Sequence, residues 1–188
     1  MTRISLFAAT TLATTLALAG CSREAPDAAN NAEARIEPAA PVSAALVSGD
    51  GQPMGSVTLS EDPTGVTIRI DAAAMPAGVH GVHLHETGQC EGPKFASAGG
   101  HWNPGAKQHG RDNPAGAHLG DLANFTVAAD GSGATTFLVS GATMSGANML
   151  ADADGTALVV HAKADDYKTD PSGDSGDRIA CAVVAAAK

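Results

Sequence analysis

Aromatic residues are scarce in this 188-residue chain: one Trp, one Tyr and four Phe. Set beside 22 Gly and 44% hydrophobic residues, that shortage suits short strands joined by turns better than a helix bundle. Basic residues are few as well, 11 Lys and Arg against 20 Asp and Glu, for a formal net charge of −9. No basic stripe is left to meet phosphates, which argues against a nucleic-acid partner. No stretch holds a convincing helical apolar period, so the core is not expected to come from helices. Cysteine is limited to three residues, an odd number that needs an explanation in an exported protein.

Long apolar runs are missing too. The one candidate, Ile4 to Ala19, follows Met1-Thr2-Arg3 and ends in small residues. It reads as a secretory signal rather than a membrane span. It closes with Leu18-Ala19-Gly20-Cys21, which resembles the bacterial lipoprotein cleavage box. That resemblance implies a signal peptide over 1–20, acyl chains on Cys21 and anchoring to a membrane, stable once more than one chain is attached. Ser22 after the cysteine points to the outer membrane, and so to the periplasmic side of the cell envelope. Lipidating Cys21 leaves Cys90 and Cys181 as a pair, and export favours a disulfide between them. Residues 21–41 are rich in Ala, Pro, Asn and acids without apolar periodicity and read as a flexible tether. The folded domain is expected over 42–188.

Within that domain the pattern is β. Alternation runs through Gly55-Ser56-Val57-Thr58-Leu59-Ser60 and Gly65-Val66-Thr67-Ile68-Arg69-Ile70, with a turn at Glu61-Asp62-Pro63-Thr64. Further strands are expected near 79–86, 121–129, 133–140, 156–162 and 178–184, with hairpin turns at Asp130-Gly131 and Asp154-Gly155. Antiparallel strands in this number imply a sandwich or flattened barrel. Two connections, 87–120 and 163–177, lack strand pattern. Their length and their content of His, Asp, Gly and Lys mark them as functional loops.

Six of the seven His carry the chemistry. In Val82-His83-Leu84-His85, alternation sends Val82 and Leu84 to one face and both imidazoles to the other, about 7 Å apart at Cα, a separation from which they can converge on one metal. The long loop adds His101, His109, His118 and Asp121, three imidazoles and a carboxylate, the closed four-ligand shell that structural zinc prefers. His161 ends the strand Leu158-Val159-Val160-His161. His80 has no place in either set and reads as a structural hydrogen-bonding residue.

In order and type, His83-x-His85, Gly99-Gly100-His101-Trp102-Asn103-Pro104, His109-Gly110, Gly116-Ala117-His118-Leu119-Gly120-Asp121, His161-Ala162-Lys163-Ala164-Asp165-Asp166 and Gly176-Asp177-Arg178-Ile179-Ala180-Cys181 together resemble the copper/zinc superoxide dismutase family of bacterial type. The resemblance spans about residues 43 to 185. It implies an eight-stranded antiparallel Greek-key β-barrel with two long functional loops, binding copper and zinc and dismutating superoxide. His83, His85, His101 and His161 would hold copper. His101, His109, His118 and Asp121 would hold zinc, with His101 shared between the metals. Asp165 would link His83 to His109 from behind, Arg178 would draw the anion in, and Cys90–Cys181 would pin the first loop to the last strand. Monomer and homodimer both remain open.

The chain departs from animal members of the family around the anion's path. Asp170, Asp174 and Asp177 precede Arg178, so attraction of an anion is expected to be weaker, with Lys94, Lys107 and Lys163 as the candidates to offset them. A non-enzymatic metal store on the same fold, or an envelope structural lipoprotein with a relict site, is the competing reading. The intact ligand set disfavours both.

Overall fold

The computed structural model describes residues 40–188. The expected signal peptide, Cys21 and all but the end of the tether lie outside the described residues. The fold is all-β, apart from a single 3-10 turn at Ala96–Ala98. Nine strands form: β1 Val42–Ser48, β2 Pro53–Asp62, β3 Gly65–Ala72, β4 Gly78–His80, β5 Val82–His85, β6 Phe125–Val127, β7 Gly133–Ser140, β8 Thr156–His161 and β9 Arg178–Ala185. Seven of them make one antiparallel sheet in the order β5-β8-β9-β1-β2-β3-β7, and β4 pairs with β6. That short ribbon continues into β5 through Gly81 and into β7 through the turn at 128–132, so it links the two edges of the larger sheet.

The strands obey the two-residue period of their sequence. In β3, Val66, Ile68 and Ile70 are buried while Thr67, Arg69 and Asp71 face outward. They meet Leu46, Val57, Leu59, Phe125, Phe137, Val139, Leu158, Val160 and Val184 in one core. β8 is buried on both sides. Leu158 and Val160 point into that core, whereas Ala157 and Val159 join Phe95, Ala98 and Cys181 in a second, smaller cluster. The second cluster is the seat on which the first long loop rests. The Cys90–Cys181 disulfide fastens the loop there, with Cα atoms 5.7 Å apart. Closing a segment of that length stabilises by about 4–5 kcal/mol in the chain-entropy account.

The architecture is the expected barrel, and three details differ. The run at 79–86 is two strands rather than one. Gly81 donates its N–H to Lys163 O and its carbonyl accepts the N–H of His161, which moves the chain from pairing with β6 to pairing with β8. A side chain there would meet Ser175 Cβ at 3.0 Å and Asp165 Cβ at 3.3 Å, so the crossing point is tight and glycine fits it without moving either neighbour. That split brings the strand count to nine rather than eight. The expected strand at 121–129 shrinks to Phe125–Val127, because the backbone before it is committed elsewhere: Asp121 N to His118 O, Leu122 N to Val82 O of β5 and Asn124 N to the Tyr167 hydroxyl.

Candidate metal centre

β5 pairs with β8 in the register His83↔Val159 and His85↔Ala157. Both histidines therefore share the outer face of the sheet with the small second cluster. Alternation in β8 brings His161 to the same face. The first loop closes over them, with isolated bridges His85↔His101 and His83↔Asp121. All six of these histidines, counting His109 and His118, are buried.

One ligand atom from each of His83, His85, His101 and His161 lies within 4.8 Å of the other three. Their ring nitrogens divide cleanly. His83 Nε2 sits 2.8 Å from Asp165 Oδ2, His85 Nδ1 3.0 Å from Gly99 O, and His161 Nδ1 3.1 Å from Gly176 O. Each oxygen can only accept, so the nitrogen facing it carries the proton. The opposite nitrogens, His83 Nδ1, His85 Nε2 and His161 Nε2, together with His101 Nε2, are buried with no hydrogen-bond partner. Buried polar atoms are rarely left so. Four inward lone pairs around one point fit a cation, since metal–nitrogen distances near 2.0–2.1 Å place opposite ligands about 4 Å apart.

A second group lies beside the first. Asp121 Oδ1 is 2.9 Å from His101 Nδ1, 3.0 Å from His109 Nδ1 and 3.1 Å from His118 Nδ1, and the His101 and His118 Nδ1 atoms are 3.3 Å apart. A tetrahedral zinc shell has ligand–ligand edges of about 3.3 Å. His83 also has a ligand atom within 4.8 Å of those of His101, His109 and Asp121, but its Nε2 is engaged by Asp165 and His118 makes the shorter approach to this group. The His101 ring thus offers Nε2 to the first group and Nδ1 to the second. The other oxygen of Asp121 accepts the backbone N–H of Gly110 and of His118, which fixes the carboxylate. An all-imidazole set suits copper, while three imidazoles with a carboxylate suit zinc. The first group fits a cation on geometry and donor chemistry, and the second fits one on its donor chemistry, with His118 reaching it through Asp121 and His101.

Electrostatics agree with that reading. Burial pushes His85 down to about 2, His101 to about 4 and His161 to about 3, and lowers His83. All four are neutral at pH 7 and ready to ligate. His109 is the exception. Burial opposes its charge, but the Asp121 and Asp165 carboxylates on its two sides outweigh burial and raise it to about 9. Burial likewise opposes charge on Asp121 and Asp165, yet their histidine partners hold both well below the usual carboxylate range. Two carboxylates among buried imidazoles call for positive charge, which a divalent ion supplies when bound.

Asp165 is buried and joins the two groups from behind, with Oδ2 on His83 Nε2 and Oδ1 3.0 Å from His109 Nε2. Arg178 donates Nη1 to Phe95 O and Nη2 to Gly99 O, both at 2.7 Å. Gly99 O thereby holds Arg178 and His85 together. Arg178 lines an open surface depression with Pro93, Lys94, Ala96, Gly176 and Asp177. The stem of Lys163 lies over Gly176 at its rim. Lys107 instead lines a separate depression beside His118, so it is not placed to offset the acids near Arg178. His80 is buried between two carbonyls, His161 O at 2.7 Å and Pro76 O at 2.9 Å.

Some contributors had no signal in the sequence. Asp170 accepts the backbone N–H of His109 at 2.6 Å, a structural task beyond its expected place among acids near the mouth. Gly173 has φ +66, and a Cβ there would lie 1.8 Å from Asp165 Oδ1 and 2.7 Å from His109 Nε2. Asn124 and Tyr167 contact the segment around Asp165 from positions some forty residues apart.

Fold and site together define a class: an all-β barrel whose buried histidines and Asp121 form two neighbouring groups that could each hold a cation. Residues 54–184 match the family model of copper/zinc superoxide dismutase (SODC). The chain belongs to that family. It is 42% identical over 145 residues to a Cu-Zn superoxide dismutase of Caulobacter vibrioides, covering 75% of this chain and 83% of the relative. It is 40% identical over 180 residues to a superoxide dismutase-like protein of Bacillus subtilis, covering 89% and 90%. Among solved structures it is similar to a SOD-like protein from Bacillus subtilis, with TM-score 0.72, 38% identity and coverage of 76% and 97%. It is also similar to the Cu/Zn superoxide dismutase from Brucella abortus, with TM-score 0.61, 28% identity and coverage of 77% and 99%.

Proposed function

We propose that this protein dismutates superoxide, converting two superoxide anions and two protons to dioxygen and hydrogen peroxide. The observation that carries the reading is the set of four unpartnered, buried imidazole nitrogens from His83, His85, His101 and His161. Copper held by these four rings would supply the one-electron chemistry that dismutation requires. Arg178, held by two carbonyls at the mouth, attracts and orients the anion, with Lys94 and Lys163 adding positive charge at the rim. His101, whose ring lies between the two groups, would hold a proton on Nε2 between the two half-reactions and pass it to the nascent peroxide. His109, His118 and Asp121 complete the zinc shell, and Asp165 fixes the rings of His83 and His109.

The proposal extends to location. The apolar run before Cys21 and the acid- and proline-rich stretch after it support a lipid-anchored enzyme on the periplasmic face of the envelope, guarding it from superoxide made outside the cytoplasm. Two experiments test these readings. Purified protein should contain one copper and one zinc per chain and show cyanide-sensitive dismutase activity, and His161→Ala should lose both copper and activity while keeping zinc. Copper-loaded protein without dismutase activity would remove the enzymatic reading, and full activity in His161→Ala would remove this histidine group as its site. Cys21→Ser should move the protein from the membrane to the soluble fraction, and unchanged membrane association would remove the anchoring.

A further inference from the structure

The Asp165 carboxylate touches both groups of histidines, yet it sits in a loop with no regular structure. Something must hold it. Its backbone is gripped by one side chain from another part of the fold: Asp165 N donates to Asn124 Oδ1 at 2.8 Å, and Asn124 Nδ2 donates to Asp165 O at 2.9 Å. The Asn124 amide thus pairs with both backbone groups of Asp165, as a neighbouring strand would. Asn124 is fixed in turn, because its own N–H donates to the Tyr167 hydroxyl at 2.8 Å.

Tyr167 closes the frame. Its N–H donates to Asp165 Oδ1 at 2.6 Å, the oxygen that also faces His109. Its carbonyl takes the N–H of Asp112 at 3.0 Å, and the Arg111 guanidinium lies over its ring at 3.7 Å, a cation–π contact. Tyr167 has φ +63, a conformation that a residue other than glycine keeps only where its surroundings over-determine it. Here they do. The first loop at 110–112, the segment after the zinc-side carboxylate at 124 and the second loop at 165–167 are locked to one another through this residue.

We propose that Asn124 and Tyr167 are positioning residues for the metal centre: by fixing the backbone on either side of Asp165 they set where its carboxylate meets His83 and His109, and so tune how tightly the zinc group holds its ion. The inference rests on the reading of His101, His109, His118 and Asp121 as the zinc ligands. Neither residue touches a ligand ring, and their effect passes through Asp165. Partners of this outer kind change metal affinity by about 10–100-fold when removed. One step further out, the lower end is expected.

The test uses the full chain, disulfide intact, loaded with zinc alone. Zinc affinity is read by competition with a chromophoric chelator. Cobalt placed in the zinc group reports its geometry through the visible spectrum. Asn124→Ala and Tyr167→Phe should each weaken zinc about tenfold and shift the cobalt bands, while urea unfolding of the metal-free protein records any general loss of stability. Tyr167→Phe keeps the ring beneath Arg111 and removes only the hydroxyl, so it remains informative if Asn124→Ala does not fold. If metal-free stability falls in the variants while zinc affinity stays within about twofold of the parent and the cobalt spectrum is unchanged, the two residues are only structural and the proposal is wrong. If the parent itself takes up no zinc, the ligand assignment fails first and the proposal goes with it.

Discussion

Remove the metals and the pH dependence of stability should expose how the centre is built. In the metal-free fold His85, His101 and His161 lie at about 2, 4 and 3, depressed first by burial, against an ordinary value near 6.5 in the unfolded chain. Above pH 6.5 these rings are neutral in both states and contribute no slope. As pH falls below 6.5 the unfolded chain takes up protons that the folded chain refuses, so stability drops. Each ring costs about 1.4 kcal/mol per pH unit, and the three together cost about 4 kcal/mol per unit until His101 begins to titrate near pH 4. Between pH 6.5 and 4 the loss is on the order of 10 kcal/mol, comparable with the whole stability of a domain. His109 acts in the other direction. Raised to about 9 by its flanking carboxylates, it contributes stability that is complete below 6.5 and is lost as pH rises through 9. Asp121 and Asp165, both depressed, withdraw their share only below the ordinary carboxylate range. The metal-free protein should therefore be most stable near pH 6–7, with a steep acid limb. Urea unfolding of chelator-dialysed, disulfide-intact protein at half-unit pH steps measures the limb directly. Its slope should correspond to at least about three protons taken up on unfolding, with His83, also depressed by burial, adding to it. A slope below one proton per chain would mean that the imidazoles are not buried as described, and the site would have to be redrawn.

Other consequences follow from the same geometry. Gly173→Ala should displace the Asp165 carboxylate, since the new Cβ would lie 1.8 Å from Oδ1 at a backbone φ of +66; zinc affinity measured by competition should fall at least about tenfold, and an unchanged affinity would contradict the close approach. Reducing Cys90–Cys181 frees the loop that carries Phe95 O and Gly99 O, the two anchors of Arg178; activity should fall even with copper retained, and the unfolding midpoint in urea should drop to match about 4–5 kcal/mol of lost loop constraint. If Arg178 and Lys94 in the depression, with Lys163 beside Gly176, attract the anion, the dismutation rate should decline with added salt, but only shallowly, because Asp177 lines the same depression and the chain carries a net charge of −9. A rate that is flat or rises with ionic strength would rule out net attraction.

What the sequence could and could not disclose divides along the range of the interactions. The strands around Val66-Thr67-Ile68-Arg69-Ile70 were legible because alternation is a local property, and burial follows it residue by residue. His83 and His85 were legible for the same reason, since two positions of one strand must share a face. The loop ligands were marked by their type and by the family resemblance, but their gathering into two groups depends on the loop folding back onto Val159 and Cys181. Gly81 was visible as a glycine, but nothing nearby announced that its N–H and carbonyl would be claimed by residues some eighty positions downstream. Asn124, Tyr167, Asp170 and Gly173 were silent for the same reason. Each acts through a backbone group or a close approach, and a one-dimensional pattern records side-chain polarity rather than where a peptide is held. The centre is thus two layers with different legibility. The inner layer is chosen for donor chemistry and writes itself in His and Asp. The outer layer is chosen for geometry, and an Asn, a Tyr or a Gly at the right place does its work without any pattern to mark it. Substitutions that spare every ligand are therefore expected to weaken metal binding when they move the outer layer.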